Sequence, residues 1–272
     1  MKLKSKAFLV FLATSSMAFA QTAPVTPTDT PAPETTIAFN AGVVSQYRYR
    51  GLAQTKGQPA LQGGVDYTNA NGAYLGAWAS TIKWIQDASQ SDITYRGSVE
   101  LDLYGGYKFE SNGIAYDLGY LRYEYLGNNL ANTTTKTQYA NANTDEVYGA
   151  GTFGNYTLKY SQTLGNLFGT VNSKSSKYID LTANFDLGNG YVLSPHAGHQ
   201  RVANQTPSMS YSDLSLTLTK DLGDGLSISA SAITNNGRSN IGGTSGVNVF
   251  SSNKSSYNTA QDALVIGAKY SF

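Results

Sequence analysis

The chain has 272 residues, 40% of them hydrophobic and only 14% charged, with 28 Gly, 20 Tyr and no Cys. Soluble domains carry about a quarter charged residues, yet mean hydropathy is still −0.29, so Ser, Thr, Asn, Gln and Tyr supply the polarity. A chain without Cys or basic runs excludes a disulfide scaffold, a cysteine zinc site and a nucleic-acid binder, and leaves a secreted β protein or an outer-membrane barrel.

Residues 1–20 place Lys2, Lys4 and Lys6 before the apolar run Ala7 to Ala13 and end on Ala18-Phe19-Ala20, the pattern of a secretory signal with a small-x-small cleavage site. The apolar run is too short for a bilayer, which needs about 20 such residues, so the mature chain is expected to start at Gln21. Without the signal lysines, 16 basic residues face 18 acidic ones, a balance that selects no partner. Residues 21–36 hold four of the seven prolines and no apolar periodicity, as in an extended periplasmic linker. Residues 37–272 then form one domain, with no apolar window long enough for a transmembrane helix.

Within that domain apolar and polar residues alternate at period two. Asn71-Gly72, Asn112-Gly113, Asn189-Gly190 and Asp224-Gly225 separate successive runs with dipeptides suited to tight hairpins, and Gly154-Asn155 is a fifth tight connection. Longer polar connections, near 51–58, 86–94, 127–144, 165–176, 204–209 and 235–261, alternate strictly with the tight ones. The pattern predicts an all-β fold, a transmembrane up-and-down antiparallel barrel of about twelve strands. The strands are expected near 37–50, 59–69, 73–85, 95–109, 114–126, 145–153, 156–164, 177–187, 190–203, 210–221, 226–234 and 262–272. Short turns and both termini fall at the periplasmic end and long loops outside. Closure is required in lipid, where an open sheet would leave backbone groups unpaired at its edges.

Facing follows where the alternation is clean. In the first strand Phe39, Ala41, Val43, Tyr47 and Tyr49 oppose Asn40, Gln46, Arg48 and Arg50; in the fourth, Val99, Leu101, Leu103 and Tyr107 oppose Glu100, Asp102, Tyr104 and Lys108. In the eighth, Ile179, Leu181, Ala183, Phe185 and Leu187 oppose Asp180, Thr182, Asn184 and Asp186; in the tenth, Leu214, Leu216 and Leu218 oppose Asp213, Ser215, Thr217 and Thr219. The apolar face is expected to meet lipid and the polar face the lumen. The third and fifth strands alternate too poorly to assign. The last strand sets Leu264, Ile266, Ala268, Tyr270 and Phe272 on one face, and Tyr270 with Phe272 is the expected C-terminal signal for the barrel assembly machinery.

The run Ser45 to Thr55 (SQYRYRGLAQT), followed by Gln58 to Gly64 (QPALQGG), resembles the opening of the TorF family of porin-type barrels. Gly76 to Ser80, Glu100 to Tyr107 and Asp117 to Tyr120 continue the resemblance over residues 37–126, while Tyr125-Leu126-Gly127 departs from the family's Tyr-Pro-Gly. The resemblance implies an outer-membrane barrel of porin type and brings no known solute.

Catalytic and metal chemistry find little support. His196 and His199 are three apart on one strand and point to opposite faces. Ser194 shares a face with His196, but no third orienting group is identifiable. The acidic residues are scattered singly, and the Gly pairs at 63–64, 105–106 and 242–243 precede no helix, so neither a metal nor a phosphate cofactor is expected. The sharper constellation is electrostatic: Arg48, Arg50, Glu100 and Asp102 all fall on the expected lumenal face, where opposed charges set ion selectivity. The expected function is passive diffusion of ions or small polar solutes through a narrow lumen, without enzymatic activity. The alternatives are charges that pair with each other and plug the lumen, or a structural or adhesive barrel that acts through its surface loops. The expected partners are outer-membrane lipid, the assembly machinery and the solutes.

Overall fold

The computed structural model describes residues 35–88, 94–131, 139–205, 209–237 and 259–272. The expected signal segment, nearly all of the linker and most of the 235–261 loop lie outside these residues, as does the middle of the 127–144 loop.

Twelve strands close into a barrel. They are β1 (Thr36–Val44), β2 (Ala60–Thr68), β3 (Ala73–Thr81), β4 (Val99–Ser111), β5 (Ile114–Tyr125), β6 (Thr144–Phe153), β7 (Tyr156–Thr163), β8 (Lys177–Ala183 and Phe185–Gly188, interrupted at Asn184), β9 (Tyr191–Arg201), β10 (Tyr211–Gly223), β11 (Leu226–Asn235) and β12 (Ala263–Ser271). Each pairs antiparallel with the next, and β12 pairs with β1. The tight connections fall where the dipeptides predict them: Asn112 with Gly113, Asn189 with Gly190 and Asp224 with Gly225 all have positive φ, the backbone of a hairpin turn whose twist matches the strands. The tight turns, the start of β1 and the end of β12 share one end, the turn end, and the long connections leave the strands at the other, the loop end. Among the described residues no helix is long and apolar enough to cross a membrane.

The assigned facings hold through the strands. Ile37, Phe39, Leu103, Leu181, Leu214, Leu216 and Ile266 are exposed on the outside, whereas Glu100, Asp102, Asp180, Asp213 and Thr217 are buried inside. Around the turn end the outside carries an aromatic girdle: Phe272 stacks on Phe39 and on Tyr270 at 5.7 Å each, and Phe109 stacks on Tyr116 at 5.1 Å. An apolar belt bounded by aromatic rings is the exterior a lipid-facing barrel presents. On β3 and β5 Leu75, Leu118 and Tyr120 face out, while Trp78, Leu121, Tyr123 and Tyr125 are buried inside. Their alternation is weak because near the loop end the inward positions are apolar too, packing against loops folded into the lumen.

The lumenal wall couples glycine to tyrosine. Gly76 on β3 stands directly opposite Tyr104 on β4, Gly106 on β4 opposite Tyr74 on β3, and Gly119 on β5 opposite Tyr148 on β6. A Cβ at Gly76 would sit 2.2 Å from the Tyr104 ring, one at Gly119 2.4 Å from Tyr148, and one at Gly106 2.5 Å from the Tyr74 hydroxyl. Each ring therefore lies flat along the wall over its glycine, an aromatic cover for a backbone that would otherwise be bare. The abundance of Gly and Tyr in the composition has this common structural cause at these positions.

Two expectations are corrected at the loop end. The first strand, expected over 37–50, ends at Val44; Arg50 (φ 45°) and Gly51 (φ 79°) then turn the chain back on itself as a two-residue ribbon, Arg48–Tyr49 against Leu52–Ala53, inside the barrel. Tyr47 and Tyr49, expected to face lipid, are buried in the interior. The period-two signal ran past the strand end because the ribbon is itself extended backbone. The third strand, expected to reach 85, stops at Thr81 and gives way to a single helical turn, α1 (Trp84–Asp87), whose Trp84 and Ile85 are also buried.

Candidate functional site

Segment 45–58 leaves β1 and folds into the loop-end half of the lumen, where it reaches most of the circumference. The Tyr47 hydroxyl donates to Glu100 on β4 at 2.6 Å, and the Tyr49 hydroxyl meets that of Tyr123 on β5 at 2.8 Å. The Arg50 guanidinium donates to Glu146 on β6 at 2.8 and 3.1 Å and to Gln200 on β9 at 2.7 Å, and lies over the Tyr178 ring of β8 at 4.2 Å. The Asn235 side chain of β11 donates to the Gly51 carbonyl at 3.0 Å. A Cβ at Gly51 would lie 2.8 Å from the Asp213 Cβ of β10, so both the positive φ and the close approach demand glycine there. Arg48 points the other way, donating to the carbonyls of Thr259 at 3.0 Å and Gln261 at 2.8 Å just before β12.

The four residues singled out by the sequence share one buried layer, with fractional exposures of 1% for Arg48, 8% for Arg50, 1% for Glu100 and 0% for Asp102. Arg50 meets Glu146, a residue sequence reasoning missed, and Arg48 engages backbone carbonyls. Glu100 accepts from tyrosine, and Asp102 lies two positions along β4 from Glu100 on the same lumenal face. Arg48 and Arg50 reach the lumen from an inserted segment and not from a barrel strand. Burial opposes the Arg50 charge, but the Glu146 carboxylate and the Tyr49 and Tyr123 hydroxyls more than offset it, and the guanidinium pKa stays well above its ordinary value.

Above this layer the other long connections contribute an apolar cap. Ile85, Tyr95, Leu130, Tyr139, Leu167 and Phe168 are buried, and Phe168 packs edge-on against Tyr49 at 5.3 Å and Tyr123 at 5.1 Å. Below it, toward the turns, the lumen is polar. Tyr104 donates to Asp66 and Tyr74 to Asp117, each at 2.6 Å, and Tyr74 also meets Tyr148. Lys108 lies over Tyr74 at 4.9 Å and Lys159 over Tyr148 at 4.1 Å. The facing wall, on β10 to β12, presents the short side chains Thr217, Thr219, Ser229 and Ser231 and the bare backbone of Gly267, with Lys269 at the next inward position of β12.

His196 lies inside, with Thr182 at 3.0 Å, Tyr178 at 3.0 Å and Asp213 at 3.2 Å, whereas His199 lies outside against Ser212 at 2.9 Å. The two point to opposite faces, as their spacing requires. Asp213 orients His196, a group the sequence did not identify, but Ser194 donates to Asn184 at 2.7 Å, so the hydroxyl and the imidazole serve separate networks. Among the described residues no group of three or more His, Cys, Asp or Glu is arranged to hold a metal.

A family profile described as "Bacterial protein of unknown function (Gcw_chp)" matches residues 28–272. No curated protein matches the sequence. Among solved structures the fold is similar to "KdgM porin", at 7% identity and TM-score 0.50, over 86% of this chain and 99% of that one. It is also similar to "KdgM porin in complex with disordered oligogalacturonate", at 9% identity and TM-score 0.49, over 87% and 98%. A further similar structure is the outer membrane phospholipase A of Escherichia coli, at 14% identity and TM-score 0.42, over 87% and 92%. At these identities the likeness concerns the barrel fold alone, and the family that the profile gives is Gcw_chp and not TorF.

Proposed function

We infer that this chain, which belongs to the Gcw_chp family of bacterial proteins of unknown function, is a porin-type barrel of the outer membrane. Ions or small polar solutes diffuse through it when segment 45–58 shifts. The observation that carries the reading is the division of the lumen. Its loop-end half is crossed by one inserted segment, while the turn-side half is lined by Asp66, Asp117, Lys108, Lys159 and short hydroxyl side chains. A lumen with no transport role is better filled with apolar side chains, since buried ionisable groups are costly. Arg48, Arg50, Glu100 and Asp102, together with Glu146, form the constriction in this reading. The barrel fold shared with KdgM porin supports it, as do the signal-like residues 1–20 and the terminal Tyr270 and Phe272, on which the assembly machinery acts. No catalytic step is assigned, because Ser194 and His196 belong to the polar wall.

A second reading, a structural barrel that never opens, is favoured by the burial of residues 47–55 within the inserted segment. Planar-bilayer recording of the full-length protein, beside a variant lacking residues 46–57, separates the two. Discrete current steps, rarer in the wild type and larger in the variant, are expected. No steps from either protein would leave the structural barrel as the function.

A further inference from the structure

Outside the barrel, the loop end carries a charge arrangement that the channel does not use. On β5 and β6 the outward Arg122 is neutralised twice, by Asp145 at 2.8 and 3.1 Å and by Glu124 at 2.8 and 3.0 Å. On β8 and β9 the outward Lys177 and Arg201 are direct cross-strand partners. The exposed His199 is the next outward position along β9, and the exposed Lys174 lies three residues before the start of β8. Among the described residues no carboxylate lies within ion-pair distance of Lys174, Lys177 or Arg201. Asp92 is the sole acid in the remaining parts of 37–272. Like charges directly opposite across a ladder are destabilising, and among the described residues no carboxylate relieves them.

The position of the patch indicates what relieves it. In the row that follows toward the turns, Tyr160, Ile179, His199 and Ser212 are in register, and in the next the row becomes wholly apolar, with Leu158, Leu181, Ala197 and Leu214. Lys177 and Leu181 are four residues apart, about 13 Å along a strand. The cations therefore stand where a lipid whose chains cover Leu158, Leu181 and Leu214 would hold its headgroup. The turn end differs, exposing Glu110, Asp186, Asp221 and Asp224. We propose that Lys177 and Arg201, with His199 beside them, form a docking site for the phosphorylated headgroup of an outer-leaflet lipid. This rests on the outer-membrane placement above. Arg201 offers paired N–H donors matched to phosphate oxygens and Lys177 a mobile ammonium, while the apolar row beneath favours a lipid over free phosphate.

The test uses purified full-length protein in detergent, incubated with lipid A bearing two phosphates, with the same lipid after removal of its phosphates, and with inorganic phosphate. Native mass spectrometry counts the lipid retained. The two-phosphate lipid should be retained, its dephosphorylated form about tenfold less, and millimolar inorganic phosphate should not displace it. Lys177→Gln with Arg201→Gln should lose roughly tenfold or more in affinity. The charge-keeping pair Lys177→Arg with Arg201→Lys, and Lys220→Gln at the turn end, should retain the lipid. Heat-modifiable gel migration verifies that each variant forms its barrel. Equal retention by the double Gln variant, indifference to the phosphates, or displacement by free phosphate would each overturn the site. Because both side chains point away from the lumen, conductance of the double Gln variant should equal that of wild type. Absence of current in both would count against the channel alone.

Discussion

Arg50 and Glu146 meet through two hydrogen bonds of 2.8 and 3.1 Å in a layer where neither side chain is more than 7% exposed, and they tie the inserted segment to the far wall of the barrel. Removing one partner of such a buried pair leaves an uncompensated charge and typically costs about 3–5 kcal/mol, whereas replacing both with apolar groups can be nearly neutral. Glu146→Gln should therefore lower the urea midpoint of the refolded barrel, and Arg50→Met with Glu146→Leu should restore most of it. In bilayers both variants should open more often than wild type, since each removes the charge pair across the lumen. Unchanged open probability in both would remove this pair from gating.

Gly51 sets the inward turn. Gly51→Ala places a Cβ 2.8 Å from that of Asp213 at a φ of +79°, which the segment can relieve only by withdrawing. Limited proteolysis of the intact protein should then cut within 45–58 at a rate well above wild type, while the barrel strands remain protected.

The tyrosine-over-glycine pairs should behave as coupled units. Gly76→Ala forces a methyl into the Tyr104 ring at 2.2 Å, and overpacking of this kind costs about 1–3 kcal/mol. Adding Tyr104→Ala should recover part of the loss. Additive losses in the double-mutant cycle would show that the ring and the glycine do not interact.

Below the constriction Asp66 and Asp117 are the lumenal carboxylates of the tyrosine wall, set among Lys108 and Lys159. Asp66→Asn with Asp117→Asn should shift the reversal potential under a salt gradient toward anion selectivity, because the lysines stay. A reversal potential equal to wild type would place the selectivity elsewhere.

The barrel was readable because lipid imposes the same rule on every strand: Leu214, Leu216 and Leu218 announce the outside of β10 as plainly as Asp213 and Thr217 announce its lumenal side. The rule weakens where the inside is not water. Trp78, Tyr123 and Tyr125 face loop side chains, so β3 and β5 lost their alternation. Tyr47 to Arg50 kept theirs outside the sheet, because an extended ribbon carries the same period as a strand. The available signal was Arg50-Gly51, a turn-forming pair at the very end of the apparent strand. Glu146 left a fainter trace: with Thr144 and Tyr148 it occupies the inward register of β6, but its partner is 96 residues away, and no local pattern links the two.

The Arg48 contacts to Thr259 and Gln261 join the first connection of the barrel to the last, across 211 and 213 residues. Chain order then imposes a timetable on assembly. The stopper segment emerges early, but the carbonyls that fasten it arrive with the final hairpin. Until β12 pairs with β1 the segment lacks this last fastening, so its complete set of attachments reports that the final strand is in place.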